Sequence, residues 1–204
     1  MFTPYRVPSL LKRLYPGLVW DIPVKDKHIF LTFDDGPHPV ATPWVLETLA
    51  PFQAKATFFC VGENVSRYPE IAEQLKSAGH SIGNHTYNHL KGWNVPDQEY
   101  LVNTRKAGEN TSNKLFRPPY GRIRRSQAKM LQEDGFRIIM WSLLSCDYLQ
   151  KLNREQSLNT LCRCSKPGSL VVFHDSARAL ENMQWILPRY LQEMHDRGFT
   201  FAAL

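Results

Sequence analysis

Three short polar clusters in this 204-residue sequence bring together residue types that can do chemistry. In Thr32-Phe33-Asp34-Asp35-Gly36-Pro37, two adjacent carboxylates leave an apolar run, and Gly36 and Pro37 enforce a turn. Side chains alternate along a strand, so a turn must begin at or near the pair if both carboxylates serve one site. Aspartates that merely cap the following helix would leave the same pattern. In His85-Thr86-Tyr87-Asn88-His89, two imidazoles stand at i and i+4. On a helical turn that spacing puts both on one face, within reach of one metal ion. A carboxylate from another strand end would complete a two-His, one-Asp set with positions open for water and substrate.

The third cluster, Arg117-Pro118-Pro119-Tyr120-Gly121, fixes an unusual backbone path with two prolines and a glycine. It reads either as a rigid loop with a solvated Arg, or as an Arg that orients a carboxylate beside N–H groups that bind an oxyanion. His174-Asp175 follows the apolar run Leu170 to Phe173, where a histidine is well placed for acid–base work. Ser142 and Ser145 have no convergent His in sequence, so a covalent nucleophile is not indicated.

The elements that must position these clusters alternate. Strand-like runs occupy 28–33, 56–61, 81–84, 115–116, 136–141, 170–173 and 199–202, and their near-continuous apolar character suits strands covered on both faces. Helical patterns fill 42–49, 69–78, 97–112, 126–134, 154–164 and 179–196, several stopping at a glycine. Repeated β-α order predicts parallel strands with right-handed crossovers. About seven strands fit a distorted, incomplete (β/α) barrel, with reactive residues where strands end and loops begin. Residues 1–27 form a Pro-punctuated lead-in, with Leu10, Leu11 and Leu14 on a short helix expected to pack on the domain, and residues 28–204 form one catalytic domain.

Composition narrows the function class. With 43% apolar and 22% charged residues, the chain is of ordinary globular type. No apolar run approaches the roughly 18 residues that span a bilayer. The net charge of +6 is scattered, without a recognition helix or zinc-finger spacing, so a nucleic-acid partner is not expected. Cys60, Cys146, Cys162 and Cys164 are too few for a disulfide framework and read as free thiols. Arg6, Lys12 and Arg13 are not followed by a signal-peptide apolar region, so the default expectation is a cytoplasmic chain, its compartment left open. Oligomeric state is not encoded in any readable pattern.

Together, TFDDGP, H-T-x-x-H and RPPYG, in this order, resemble the polysaccharide deacetylase superfamily, carbohydrate esterase family four, from about residue 28 to 204. The resemblance implies a barrel of about seven strands and one divalent metal ion held by Asp35, His85 and His89. Zinc is the expected ion, with cobalt, nickel or iron(II) as alternatives. It also implies Asp34 as general base toward a metal-activated water, with Arg117 holding that base. The backbone N–H of Tyr120 would receive the oxyanion, His174 would be the general acid, and Pro118 and Tyr148 would meet substrate. Where family members carry D-x-x-D-W, this chain reads Leu144-Ser145-Cys146-Asp147-Tyr148. Asp147 survives and could orient His174, whereas Leu144 replaces a carboxylate and Tyr148 a tryptophan. Trp93, Tyr87 and Trp141 are candidate sugar-stacking residues, with core packing the expectation for Trp141.

The implied activity is metal-dependent removal of N-acetyl groups, or in second place O-acetyl groups, from an acetylated sugar polymer or oligosaccharide. One alternative is a metal-dependent amidohydrolase acting on a non-sugar C–N bond. A second is a carbohydrate-binding relative without catalysis, which normally shows a lost base or ligand. A non-haem iron oxygenase shares the triad composition but not its usual H-x-D…H order.

Overall fold

The computed structural model describes residues 5–108 and 114–204. Its centre is a parallel sheet built from β1 (His28–Asp34), β2 (Ala56–Cys60), β3 (Ser81–Asn84), β4 (Leu115–Phe116), β5 (Arg137–Ile138), β6 (Leu143–Leu144), β7 (Leu170–His174) and β8 (Thr200–Phe201). The strand order is β5-β4-β3-β2-β1-β7-β6, and β8 pairs with the start of β1. Every ladder is parallel, as β-α alternation requires. Seven columns of strands curl around a common interior and leave an opening between β5 and β6. This is the expected incomplete (β/α) barrel.

The lead-in occupies that opening. Val19 bridges to Ile139 beside β5, Arg6 bridges to Leu143 on β6, and the Leu144 N–H donates to the Tyr5 carbonyl. Tyr5, Val7 and Trp20 are buried there. The short helix α1 (Ser9–Leu14) forms, but it buries none of its residues: Leu10, Leu11 and Leu14 stay exposed. Six residues give fewer than two turns, too little to present a stripe to the core, and the extended residues on either side make the contact instead.

Helices α2 (Ala41–Leu49), α3 (Gly62–Arg67), α4 (Pro69–Ser77), α5 (Asp97–Gly108), α6 (Arg125–Glu133), α7 (Arg154–Cys164) and α8 (Leu180–Asp196) cover the sheet. The expected helix 97–112 is seen to Gly108, and its last residues lie outside the described ones. Two differences from the sequence pattern have local causes. Of the expected strand 136–141 only Arg137–Ile138 forms, as β5, because Ile139 bridges to Val19 of the lead-in and the Met140 N–H donates to the Val19 carbonyl; β6 begins beyond that run, after the Ser142 N–H donates to Leu170. The chain thus leaves the β4 edge, crosses the opening and starts β6 against β7. Helix α3 escaped notice because only Gly62 and Val65 face the core.

Strand alternation sorts the core into two layers. Ile29, Leu31 and Phe33 of β1, Phe58 of β2 and Val171 and Phe173 of β7 point outward and pack with Val45, Leu75, Ile186 and Leu187 of the covering helices. Phe30, Phe59, Leu115 and Leu170 fill the interior. Continuing the inner set along each strand leads to Thr32 and Asp34 on β1, to Arg117 just past β4, and to Val172 and His174 on β7. The period of two therefore delivers a carboxylate, a guanidinium and an imidazole to one rim of the barrel, at the strands' C-terminal ends.

Candidate active site

Asp34 and His174 are direct partners in the β1–β7 ladder, so base and acid candidates are neighbours by register alone. Asp35 then takes a left-handed backbone with φ 81°, which ends the strand and lets the second carboxylate join the first at the same rim. Asn64 Nδ2 donates to the Asp35 carbonyl at 2.8 Å. The Gly36 N–H donates to Asp175 Oδ1 at 3.1 Å, and Asp175 Oδ2 accepts from the Thr42 hydroxyl at 2.5 Å. The turn is therefore clamped by a buried side chain just past the end of the neighbouring strand β7. Burial pushes the Asp175 carboxyl up to about 8.

The two histidines of the second cluster are brought together by a loop, not by a helical turn. Thr86 and His89 both have positive φ, at 64° and 58°. Local side chains satisfy the peptide groups that a helix would have paired: Asn84 Oδ1 accepts from Thr86 N–H, Asn103 Oδ1 from Tyr87 N–H, and Thr86 Oγ1 from Leu90 N–H. The rings still converge, with centroids 5.1 Å apart. His85 Nε2 lies 3.7 Å and His89 Nε2 3.2 Å from Asp35 Oδ1, and the three donor atoms fall within 4.8 Å of one another.

This donor set fits a divalent ion. His85 Nδ1 bonds to the Arg117 carbonyl at 2.8 Å, which leaves Nε2 as the ligating nitrogen. Burial pushes the His85 imidazole down to about 4, so it is neutral, the form that ligates. Burial works against charge on Asp35, yet the His89 hydrogen bond and the pull of His174 hold its carboxyl well below the usual range. Among the described residues no other cluster of this kind occurs, and all four cysteines are free.

Arg117 is not a solvated loop residue but a fully buried cation. Its Nη1 donates to Asp34 Oδ1 and to Thr32 Oγ1, both at 2.7 Å. Its Nε donates to the Ile139 carbonyl at 3.1 Å and its Nη2 to the Met140 carbonyl at 2.8 Å, while the guanidinium lies 4.2 Å from the centre of the Phe59 ring. Burial pulls the guanidinium pKa down, and the adjacent Asp34 works against it. A buried charge is tolerated only when paired and hydrogen-bonded in this way.

After Arg117, Pro118 is buried and its carbonyl accepts from Gly121 N–H. Tyr120 adopts a left-handed conformation, φ 60° and ψ 9°, with its exposed ring edge-on to His89 at 4.7 Å. A Cβ on Gly121 would sit 2.4 Å from the Trp141 ring, so Trp141 supports this loop from below. Trp93 is half exposed, and Tyr87 is covered by Lys106, whose Nζ stands 3.6 Å from the ring centre.

On the opposite side, Asp147 accepts from His174 twice, from the backbone N–H at 2.9 Å and from the ring Nδ1 at 2.7 Å. Burial disfavours the imidazolium, but Asp147, helped by Asp35 and Asp34, outweighs it and raises His174 to about 9. Asn182 Nδ2 donates to the carbonyls of Asp147 and Leu149 at 2.8 Å. Tyr148 packs edge-on to His174 at 5.0 Å, while Leu144 is buried against Tyr5 and Val172. Sequence reasoning named every member of this constellation but missed its supports, Asp175, Asn64, Asn84, Asn103 and Asn182. Of these, Asp175 stood in the His174-Asp175 dipeptide and Asn84 only two residues from its partner Thr86, whereas Asn64, Asn103 and Asn182 meet partners 15 or more positions away.

Comparison with known proteins gives a consistent picture. Residues 21–139 match the polysaccharide deacetylase family profile. A peptidoglycan-N-acetylglucosamine deacetylase of Bacillus cereus is 35% identical, over 96% of this chain and 95% of its own length. A chitooligosaccharide deacetylase of Azorhizobium caulinodans is 34% identical, over 77% of this chain and 78% of its own. The crystal structure of the Bc1960 peptidoglycan N-acetylglucosamine deacetylase, in complex with an N-hydroxybenzamide, superposes with a TM-score of 0.88 at 31% identity, covering 95% of this chain and 94% of that one.

Proposed function

Because this chain belongs to the polysaccharide deacetylase family, that of the carbohydrate esterase four fold, we propose that it hydrolyses N-acetyl groups on an acetylated glycan with a divalent ion, zinc by preference, held by Asp35, His85 and His89. The observation that carries this reading is the convergence at one rim of the Asp35, His85 and His89 donor atoms with an Arg117-held Asp34 and an Asp147-held His174. His85 is buried neutral with one nitrogen turned to ligation, whereas His174 is held charged by Asp147 across the barrel rim. Paired environments that push like groups apart assign a ligand role to one and an acid role to the other.

Asp35, His85 and His89 would hold a divalent ion there, and when bound it would supply Lewis-acid polarisation of the acyl oxygen and of water. Asp34 takes the proton from the attacking water with the oxygen that Arg117 does not hold. Arg117 keeps that carboxylate aimed into the rim, since its other donors are held by the Ile139 and Met140 carbonyls and the Thr32 hydroxyl. The Tyr120 N–H receives the negative charge that develops on the acyl oxygen. His174, oriented through Nδ1 by Asp147, hands a proton from Nε2 to the departing amine. Tyr148, beside His174, and Pro118 border the space for the acetyl methyl. Zinc suits two imidazoles and one carboxylate with open positions.

The test is acetate release from chitin oligomers, peptidoglycan strands and acetylxylan, using metal-depleted protein before and after zinc reloading. Metal-dependent release that falls about 10²-fold or more in Asp34→Asn and His89→Ala is expected. Release that ignores metal, or survives both substitutions, overturns the mechanism. Its absence on every glycan overturns the substrate class.

A further inference from the structure

We propose that the surface next to the ion-binding triad receives an acidic glycan. Lys91 and Arg122, placed over the exposed rings of Tyr120 and Trp93, would recognise a carboxylate on a sugar neighbouring the one that loses its acetyl group. This rests on the deacetylase reading and deepens it by naming the substrate class.

The surface starts at the triad itself, because the Tyr120 ring meets His89. Lys91 Nζ stands 5.8 Å from the centre of that ring, and the Arg122 guanidinium 4.7 Å from the centre of the Trp93 ring. Tyr120 is 62% and Trp93 50% exposed, unusual for rings of this size. Neither Lys91 nor Arg122 has a carboxylate within ion-pair distance among the described residues, whereas the neighbouring Arg124 is paired with Asp97.

These groups are also held in place. Gln127 Nε2 donates to the Gly92 carbonyl and its Oε1 accepts from Arg124 N–H, tying the loop after His89 to the loop after Tyr120. Gly92 is pressed so close that a Cβ would lie 3.1 Å from the Arg122 carbonyl oxygen. Arg124 Nη2 donates to the Trp93 carbonyl at 2.9 Å. Two aromatic faces and two unpaired cations on a fixed platform suit a sugar ring that carries negative charge, and the cations would also steer such a chain toward the rim.

The experiment compares peptide-free peptidoglycan strands, whose lactyl carboxylates are intact, with the same strands after amidation of those carboxylates. Hyaluronan oligosaccharides and their amides form a second pair, in which the carboxylate belongs to a uronate. Binding is measured on zinc-loaded Asp34→Asn protein, and kcat/KM on the wild type. At least one acid form should be preferred over its amide about three- to tenfold. That ratio should shrink in high salt and fall toward one in Lys91→Gln/Arg122→Gln. Preference within the strand pair assigns the lactyl source, and preference within the hyaluronan pair the uronate source. A ratio near one in both pairs, or one that the double substitution leaves intact, overturns the inference. Preferential binding without acetate release from any glycan would instead reject the deacetylase reading and leave the acidic-glycan surface standing.

Discussion

At the scale of single residues, the site depends on two charge pairs with different tasks, one part-buried and one buried. His174 with Asp147 sets a pH window. Its folded pKa, about 9, lies above the ordinary imidazole value near 6.5. The pair's contribution to stability is therefore complete below about 6.5 and is lost as pH rises through about 9. The same titration removes the proposed acid, so kcat/KM should decline on the alkaline side. Asp147→Asn should shift that decline to lower pH by a unit or more, and a pH–rate profile with an unmoved alkaline limb would refute the assignment. Arg117 with Asp34 is the buried pair, and breaking it is costly. Arg117→Met leaves a buried carboxylate alone, and chemical denaturation should show a loss of about 3–5 kcal/mol. A loss below about 1 kcal/mol would mean that water reaches Asp34 freely.

Among the elements, β3 pairs with β2 just before the histidine loop, and the Phe59 ring of β2 lies over Gly83 of β3. A Cβ on Gly83 would sit 2.6 Å from the Phe59 ring and 3.3 Å from the Leu115 carbonyl oxygen. Phe59 in turn lies under the Arg117 guanidinium. Gly83→Ala should cost about 1–3 kcal/mol through overpacking. It should also weaken zinc binding in a calorimetric titration, because His85 is only two residues further on. Unchanged zinc affinity with unchanged stability would show that Phe59 can swing aside without disturbing either neighbour. The loop itself carries a related lesson. Spacing of i and i+4 suggested a helical turn for His85 and His89, and the convergence is real although the turn is not. Three side-chain acceptors, from Asn84, Asn103 and Thr86, capture the N–H groups first.

For the molecule as a whole, the proposed ion-binding residues Asp35, His85 and His89 stand at the rim and the apolar core lies away from them. Phe33, Phe58, Phe173, Leu187 and their neighbours are buried without reference to the triad. Chelation should therefore abolish activity while leaving a cooperatively folded protein, with far-UV circular dichroism unchanged. Zinc readdition should raise the melting temperature, and about 2.7 kcal/mol is available at a hundredfold excess over Kd. Collapse of the fold on chelation would make the ion structural.

The sequence by itself determined the alternation of strand and helix, and with it the parallel barrel. Apolar periodicity and glycine stops are local properties that no tertiary contact has to supply. It also determined which residues could react, because TFDDGP, H-T-x-x-H and RPPYG place rare residue types at strand ends. Only the tertiary structure decided what those residues meet. Arg117 became a buried clamp on Asp34 through the pairing of β3 with β4 and the path of Ile139 and Met140. Asp175 became the anchor of the Asp34–Asp35 turn because β7 lies beside β1, from residues that stand 139 positions apart. The break in 136–141 likewise arose from the lead-in crossing the barrel's opening. Such contacts depend on which strands become neighbours, and in a parallel sheet neighbours are joined by long crossovers, so no window of sequence contains both partners.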